Sequence, residues 1–391
     1  MTVGLSTDRK PKLRAVVFGA GRGFLPPLLE KFEQEYEVVE VISHIGKPPM
    51  IIKLLFLVLS FRLPKQAWYR RWMHYMEKTP FAFKTYTARN AERLERLSGK
   101  YDIIIKFGAM SAPTFYLDKP LFIITDSTRC LSSRNAHDVL SHFDNAREKQ
   151  GWLALEGNVY RAARRLFVGS NFVKNSLVSD YGVSPERVIV TGFGAGIGHA
   201  EKYEKHFDGR SILFIGKGDF EKKGGKLLLK AFAEVRKDIP DAVLHIVGQE
   251  RVPQSEGVIN HGFVTDRILL RDLLKAAHVF VLPSLVDRFG IVFVEAMAAA
   301  TPCIASDYGA LPEVVGTAGI IVRQNDVREL AEAMKKILRD ERLARELGEN
   351  GRRRFEEKYN WTRVWETMRS EINKALDEEA RETVIDMFSG A

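Results

Sequence analysis

The sequence is poor in residues that cross-link a protein or bind metals. Its 391 residues include only two cysteines, Cys130 and Cys303, so a disulfide framework is excluded and a reducing cytoplasm is indicated. The nine histidines are scattered without metal-ligand spacing. No Asp-x-Asp pair occurs in the chain. We therefore expect neither a zinc site nor a diphosphate held by a metal ion.

Long hydrophobic runs are also absent. The apolar run MIIKLLFLVLSF (50–61) is too short to span a bilayer and is interrupted by Lys53. The first dozen residues are polar and no hydrophobic segment follows at once, so no signal peptide is expected. With 45% hydrophobic and 28% charged residues, the composition is that of a folded soluble protein. The length predicts about two domains.

Positive charge is concentrated in one part of the chain. Residues 47–99 contain eleven Lys or Arg and three Glu, a net charge of +8 out of +9 for the whole chain. The same window holds the apolar run and the aromatic segment WYRRWMHY (68–75). A short apolar helix with basic and Trp/Tyr flanks suits an anionic membrane surface. The alternative is a buried helix with a solvated basic neighbour. No nucleic-acid partner is expected.

Short apolar, β-branched runs alternate with helical patterns along the chain, which is typical of α/β proteins with parallel sheets. The predicted strands are 13–21, 37–43, 101–108, 121–127, 165–170, 210–218, 242–248, 256–264, 278–284 and 302–306. We therefore predict two doubly wound, Rossmann-like α/β domains that face each other across a cleft.

The domain boundaries are placed around a glycine-rich stretch. Residues 186–203 are rich in glycine and indicate an interdomain linker. The prediction is a first domain over 1–195, a hinge over 196–209 and a second domain over 210–369. A C-terminal helix at about 370–391 is expected to pack back on the first domain.

The segment DRFGIVFVE (287–295) places two acids around an apolar stretch. A buried strand precedes it, and an alanine-rich, helix-forming sequence follows it. Asp287 is therefore predicted in a loop at the carboxyl end of a strand, and Glu295 in the first turns of the next helix. Ligands bind at that edge of open α/β sheets, and a helix start favours phosphate. Carboxylates repel phosphate, so the two acids are better matched to hydroxyl groups.

The segment FIGKGDFEKKGG (214–225) supplies positive charge to the same predicted edge. Lys217 and Lys223 lie in the loop that follows a buried strand. Together with a helix start, two ammonium groups would offset the charge of a diphosphate. The alternative is that they are ordinary surface lysines.

Two glycine-rich segments suggest other nucleotide sites but fit them poorly. The turn GAGRGF (19–24), with Gly21 and Gly23, lacks the third glycine of a dinucleotide fingerprint because Phe24 stands there. The segment KKGGKL (222–227) lacks the Ser or Thr of a triphosphate-binding loop. We retain Gly21 and Gly23 only as candidate donor-binding residues.

The second half of the chain resembles the family-four retaining glycosyltransferases of the GT-B fold (glycosyltransferases group 1). The similar stretch covers roughly residues 160–370 and includes the 287–295 segment. The resemblance implies that Glu295 holds the nucleotide ribose and that Asp287, one methylene shorter than the family's acid, contacts donor-sugar hydroxyls. Lys217 replaces the family's arginine, and Lys223 matches its lysine.

The same resemblance implies further site residues. Backbone groups near Phe289, Gly290 and Ile291 would meet the diphosphate and the sugar. Asp126 stands after a first-domain strand, where the family usually has a histidine near the sugar. We therefore list Asp126 with Asp287, Lys217 and Lys223 as candidate catalytic residues.

The resemblance implies a metal-independent hexosyltransferase that uses a UDP-, GDP- or ADP-sugar and retains anomeric configuration. Its acceptor would be a cell-envelope, lipid-linked or other glycan, and no cofactor beyond the donor is expected. Closure about residues 192–210 would exclude water from the donor. The expected location is cytoplasmic, peripheral on the inner face of the membrane. Two alternatives remain open, a nucleotide-sugar epimerase on the same fold and an inactive binding homologue.

Overall fold

The computed structural model describes residues 12–19, 25–42, 72, 75, 78–138, 140–196, 205–249 and 251–389, without the side chains of 379 and 382–389. The chain divides into two compact units. The first unit comprises Met1–Ile124, Phe143–Leu166 and Ile372–Ala391, and the second comprises Thr125–His142 and Phe167–Glu371. The boundaries at 195, 209 and 369 stay a prediction.

The first sheet has six parallel strands in the order β2-β1-β3-β4-β5-β6. Its strands are β1 Arg14–Phe18, β2 Glu37–Ile42, β3 Ile103–Phe107, β4 Leu121–Thr125, β5 Arg165–Val168 and β6 Val188–Val190. The helices of this part of the chain are α1 Leu25–Glu35, α2 Pro80–Arg96, α3 Arg129–Ser133, α4 Ala146–Ala162 and α5 Asn171–Tyr181. A 3₁₀ turn, Pro185–Arg187, precedes β6.

The second sheet also has six parallel strands, in the order β12-β11-β10-β7-β8-β9. These are β7 Ser211–Ile215, β8 Val243–Val247, β9 Val258–Asn260, β10 Val279–Leu282, β11 Cys303–Ser306 and β12 Gly319–Val322. The helices here are α6 Gly225–Asp238, α7 Arg267–Ala276, α8 Ile291–Ala298, α9 Leu311–Val315, α10 Val327–Arg339, α11 Glu341–Arg354 and α12 Trp361–Ser389, of which the residues from Ile372 onward belong to the first unit. A 3₁₀ turn, Gly316–Ala318, and a π-helical turn, Phe355–Tyr359, complete it.

The central strands are buried on both faces. Every residue of β3, β4, β10 and β11 is buried. Their sequences are mostly apolar, with Lys106 in β3 as the one charged residue, which is typical of parallel strands that are buried on both faces. The predicted fold class, α/β with two doubly wound units, is confirmed.

The strand order of the second sheet creates a topological switch point. From β7 the chain adds β8 and β9 on one side of the sheet, and it then returns to place β10 on the other side of β7. The connections that follow β7 and β10 therefore leave the sheet in opposite directions at a topological switch point. The crevice that opens there, beyond the carboxyl ends of the strands, is the usual ligand site of such sheets.

Two strands differ from the sequence prediction. The stretch 186–203, predicted as a linker, contains the edge strand β6. The edge strand β12, with the sequence GIIV, was not predicted. Within the described residues, no helix is both long and apolar enough to cross a membrane. The apolar run 50–61 lies outside the described residues.

Candidate functional site

The candidate site lies in the second unit, at the switch point between β7 and β10. The loop after β7 contains Lys217 and Lys223, and the loop after β10 contains Asp287. Glu295 lies in the second turn of α8, as predicted. Backbone pairing holds the two loops together, because the N–H of Leu285 donates to the carbonyl of Lys222 at 2.9 Å.

Asp287 contacts both the loop after β7 and the start of α8. Its Oδ2 lies 2.7 Å from the Nζ of Lys223, and its Oδ1 accepts the N–H of Gly290 at 2.8 Å. The side chains of Asp287 and Lys223 are 14% and 26% exposed, so the ion pair is partly shielded from water. One carboxylate thus fixes both the start of α8 and the position of a lysine from the neighbouring loop.

Gly290 fixes the direction in which α8 begins. Its φ of +80° is in the left-handed region. A Cβ at this position would lie 2.6 Å from Cδ2 of Leu311 and 2.8 Å from Cδ2 of Phe293. Any other residue would therefore move the helix start. The N–H of Phe293 already donates to the carbonyl of Gly290 at 2.9 Å. The N–H groups of Ile291 and Val292, at the very start of the helix, precede the regular intrahelical bonds and can serve an anion.

Phe289 anchors the loop after β10 to the protein core. Its side chain is 5% exposed and packs edge-on against Phe193 and Tyr359, with ring centroids 5.0 and 5.9 Å away. This side chain is a core residue, so only its backbone is left to contact a ligand. The predicted backbone contacts of Phe289, Gly290 and Ile291 with a donor stay a prediction.

Lys217 and Lys223 differ in their surroundings. Lys223 is paired with Asp287. Lys217 is exposed, and its ammonium has no hydrogen-bond or ion-pair partner among the described residues. A Cβ at Gly216, next to Lys217, would lie 3.4 Å from the Cβ of Lys223, so the two lysines flank one part of the loop. Their charges are therefore available at the switch point.

Glu295 is nearly buried, with 8% of its surface exposed. The Nη1 of Arg267, at the start of α7, lies 3.5 Å from its Oε1. A Cβ at Gly196 would lie 3.0 Å from the same oxygen. The carboxylate is thus bounded by Arg267 and by the backbone at Gly196, which limits the size of any group that reaches it.

Asp126 lies close to the site residues. Its Oδ2 is 3.7 Å from the Nη1 of Arg288, the residue that follows Asp287. Both side chains are about one-third exposed, so this is a solvent-screened pair of small energy. The structure therefore places Asp126 near the 287–295 segment. Gly21 and Gly23 lie outside the described residues.

Two amide side chains that belong to no sequence motif support the loop after β10. The Nε2 of Gln324 donates to the carbonyls of Ser284 and Leu285, both at 3.1 Å. The Nδ2 of Asn135 donates to the carbonyl of Leu285 at 2.9 Å. Both residues are far from the loop in sequence and belong to no motif, so only the fold identifies them.

A tyrosine beside the site keeps its proton. Burial raises the pKa of Tyr308 above its ordinary value, against a hydrogen bond with Asn135 that lowers it, and the nearby carboxylates Asp138 and Asp287 raise it further. The phenol is therefore neutral at physiological pH and can donate a hydrogen bond. Among the described residues, no group of three or more His, Cys, Asp or Glu side chains is arranged to hold a metal ion.

Comparison with known proteins relates this site to sugar-transfer enzymes. The family described as "Glycosyl transferases group 1" matches residues 209–340, which include the whole β7–β10 site. The MMP alpha-(1->4)-mannosyltransferase of Mycolicibacterium hassiacum is 34% identical over 227 residues, 55% of this chain and 55% of that protein. The chain thus matches about half the length of that relative.

Two further similarities extend over more of the chain. The GDP-mannose-dependent alpha-(1-6)-phosphatidylinositol monomannoside mannosyltransferase of Mycolicibacterium smegmatis is 29% identical over 311 residues, 69% of this chain and 76% of that protein. The structure of sucrose-phosphate synthase from Thermosynechococcus elongatus matches 94% of this chain and all of that chain, with a TM-score of 0.66 and 19% identity. At that identity the similarity concerns the fold alone.

Proposed function

We propose that this chain, which belongs to the group 1 glycosyltransferases and has the GT-B fold, transfers a sugar from a nucleotide-diphosphate sugar to a glycan or lipid-linked acceptor, with retention of anomeric configuration. The observation that supports this most is the ion pair of Lys223 with Asp287 at the start of α8, at the switch point of the second sheet. The pair places a cation suited to binding phosphate, Lys223, beside an anion suited to accepting hydrogen bonds from hydroxyl groups, Asp287.

Each side chain has a proposed role that follows from its chemistry. Lys217 and Lys223 contact the diphosphate, whose charge is further stabilised by the start of α8. Asp287 accepts hydrogen bonds from hydroxyls of the donor sugar. Glu295 accepts hydrogen bonds from the ribose, since a carboxylate offers only acceptors. Asp126 contributes to the acceptor side of the reaction centre.

The main catalytic contribution proposed for these residues is electrostatic. When the bond between the sugar and the diphosphate breaks, negative charge grows on the leaving phosphate oxygens. Lys217, Lys223 and the start of α8 are the groups proposed to stabilise that charge, because positive groups held in place before the reaction need little reorganisation as the charge develops. The leaving nucleoside diphosphate then departs with the electron pair of the broken bond.

Known relatives support transfer over the other chemistries. Curated relatives have names that describe glycosyl transfer or synthesis, such as mannosyltransferase and alpha-maltose-1-phosphate synthase. These names favour neither an epimerase nor an inactive homologue. The name of one relative includes GDP-mannose and a phosphatidylinositol mannoside, which supports a lipid-linked acceptor and a peripheral membrane location for this chain.

The donor is tested by a binding screen. Melting curves with UDP-, GDP- and ADP-sugars identify the nucleotide because a bound ligand stabilises the folded state. A sugar ligand at 100 times its Kd adds about 2.7 kcal/mol to the free energy of unfolding. Release of nucleoside diphosphate that depends on an added acceptor, and persists in a metal chelator, supports metal-independent transfer. Interconversion of donor sugars without acceptor would support an epimerase instead.

A further inference from the structure

The side chain of Gln249 lies against the loop that contains Lys217. Gln249 follows β8 by two residues and is 7% exposed. Its Nε2 donates one hydrogen bond to the carbonyl of Gly218, at 3.1 Å, and a second, short one to the carbonyl of Gly216. These two acceptors are the residues immediately before and after Lys217. One buried amide therefore bridges the backbone on both sides of a candidate phosphate ligand.

The chemistry of the amide makes this bridge specific. Both partners are carbonyl oxygens, which only accept hydrogen bonds, so the NH₂ group and not the oxygen of Gln249 must face them. The two N–H bonds of that group are both used. A glutamate of the same size has no N–H at this position, and it would direct negative charge at two carbonyl dipoles.

The backbone next to Gln249 supports the same loop. Gly248 has a φ of +95°, and a Cβ at this position would lie 2.8 Å from the oxygen of Gly216 and 3.1 Å from the nitrogen of Lys217. The end of β8 thus packs directly on the Gly216–Lys217 peptide. The N–H of Gly216 donates to Val247 at 3.0 Å. Gly216 and Gly218 are flexible residues, so Lys217 depends on these contacts for its position.

We propose that Gln249 is a positioning residue for the donor diphosphate, acting through the loop that contains Lys217. This inference rests on the proposed function, and it adds the reason that an exposed lysine between two glycines presents its charge at the switch point. Gln249 is too buried, and its N–H groups too fully used, to be the phosphate ligand itself. Its effect on binding must therefore pass through Lys217 and the peptides beside it.

The test is a double-mutant cycle with a charged and an uncharged ligand. Calorimetry measures the binding affinities of UDP, GDP and ADP and of the corresponding nucleosides. The proteins are the unaltered full chain, the single variants Gln249→Ala, Gln249→Glu and Lys217→Ala, and the two variants that combine Lys217→Ala with either Gln249 change. We expect Gln249→Ala to lower the affinity for the preferred nucleoside diphosphate about ten-fold and the affinity for the nucleoside less than about two-fold. The figure of about ten-fold corresponds to the loss of a typical pair of buried hydrogen bonds. Gln249→Glu should be at least as weak.

The cycle separates positioning from a general structural role. In the Lys217→Ala background, Gln249→Ala should change diphosphate affinity less than about two-fold, because residues that act as a unit are not additive. Equal losses for nucleoside and diphosphate, additive losses in the double variant, or wild-type affinity in Gln249→Glu would each overturn the proposal.

A second variant and the wild-type protein provide the remaining controls. If Gln249→Ala does not fold, Gln249→Asn, which keeps the amide but shortens its reach, takes its place in the cycle and should show the same selective loss. Wild-type protein that binds no nucleoside diphosphate would overturn the proposed function together with this inference. Wild-type binding with unaltered Gln249 variants would overturn the inference alone.

Discussion

The ammonium of Lys223 is 2.7 Å from Oδ2 of Asp287, although 64 residues separate them in sequence. An ammonium has three N–H bonds, so one can remain on Asp287 while the other two reach phosphate oxygens. A donor that binds here would therefore share Lys223 with the protein. The pair joins the phosphate part of the site to the sugar part, and substitutions of either residue should affect both.

Asp287→Asn tests the two halves of that pair separately. The asparagine oxygen can still accept the N–H of Gly290, which keeps the start of α8, but the charge that holds Lys223 is lost. We expect turnover to fall about ten- to a hundred-fold, because a charged hydrogen bond to the sugar is worth about 1.5–3 kcal/mol. Affinity for the nucleoside diphosphate should be equal or tighter, since Lys223 is freed for phosphate. Wild-type kcat in this variant, measured by product formation, would contradict the role of Asp287.

Asp287→Ala is the companion variant. It removes the bond to Gly290 as well as the ion pair, so it should lose turnover and also lower the free energy of unfolding by about 1 kcal/mol, the usual net contribution of one hydrogen bond. Equal stability of the alanine and asparagine variants in urea would show that Asp287 does not hold α8.

Glu295 should be selective for the hydroxyl groups of the ribose. Wild-type protein should bind a 2′-deoxynucleoside diphosphate about ten-fold less tightly than the ribonucleotide, because the nearly buried carboxylate loses one hydrogen bond from the ribose. Glu295→Ala should weaken the ribonucleotide and bind both ligands equally. Calorimetry of the four combinations decides the point. Retention of the ribose preference in Glu295→Ala would assign that preference to another residue.

Lys217 and Lys223 should distinguish diphosphate from nucleoside. Each alanine variant should lower affinity for the nucleoside diphosphate about ten-fold or more, while nucleoside affinity changes little. Lys226→Ala is the matched control, since Lys226 is exposed near the same loop and pairs with Glu221 at 2.6 Å. The control should bind both ligands like the wild type. Losses of the same size for diphosphate and nucleoside would indicate that the lysines act on the loop and not on phosphate.

Much of the fold could be predicted from the sequence because the central strands are short and mostly apolar. The strands β3, β4, β10 and β11 are wholly buried, and their patterns stand out against helical neighbours. The edge strands β6 and β12 were not predicted, and β6 lies in a stretch whose glycines indicated a linker. Pairing with a neighbouring strand determines these two, and pairing is not visible in local sequence.

The candidate site also has features that could be predicted from local sequence and features that could not. The positions of Asp287 and Glu295 in a loop and a helix follow from local sequence, and the structure confirms them. The partnership of Asp287 with Lys223, and the support from Gln249 and Gln324, depend on which strands are neighbours in the sheet. Residues that meet only through the β7–β10 pairing cannot be predicted to meet from spacing along the chain.

The window 47–99 should bind anionic membranes reversibly. Its net charge is +8. Each basic residue close to an anionic surface contributes about 1 kcal/mol to the binding free energy, and this attraction weakens as the salt concentration rises. We expect sedimentation with anionic phospholipid vesicles at low salt, partly retained at high salt if the apolar run 50–61 inserts. Changing Lys65, Arg70 and Arg71, which lie outside the described residues, to Glu should abolish most of this binding.

The matched control for charge is a triple reversal in the second unit. Lys336, Arg342 and Arg353 are exposed, and changing them to Glu alters net charge by the same amount. This variant should still sediment with the vesicles and bind nucleotide. Equal loss of sedimentation in both triple variants would show that total charge, and not the 47–99 window, determines binding. Failure of the wild type to sediment at low salt would favour a soluble acceptor.

Lys106 should make the stability of the protein depend on pH. It is fully buried in β3, opposite Phe18 in the neighbouring strand, with its Nζ 5.5 Å from that ring and 3.5 Å from Oγ of Ser111. Burial lowers the pKa of Lys106 from 10.5 to about 7. The unfolded chain therefore binds one more proton than the folded chain between these two values. The free energy of unfolding should rise with pH across that window. Below the window the cost of burying the charged ammonium is present in full, and above it that cost is gone.

Lys106→Met isolates this contribution because it removes the titrating group and keeps a long unbranched side chain. Urea unfolding of wild type and variant at about pH 7.5 and about pH 9.5 should show the wild type gaining about 2 kcal/mol relative to the variant, close to 1.4 kcal/mol per pH unit. Lys205, whose pKa burial also lowers to about 7, is present in both proteins and cancels from the comparison. If the stability difference does not change with pH, Lys106 is charged in the folded protein at neutral pH.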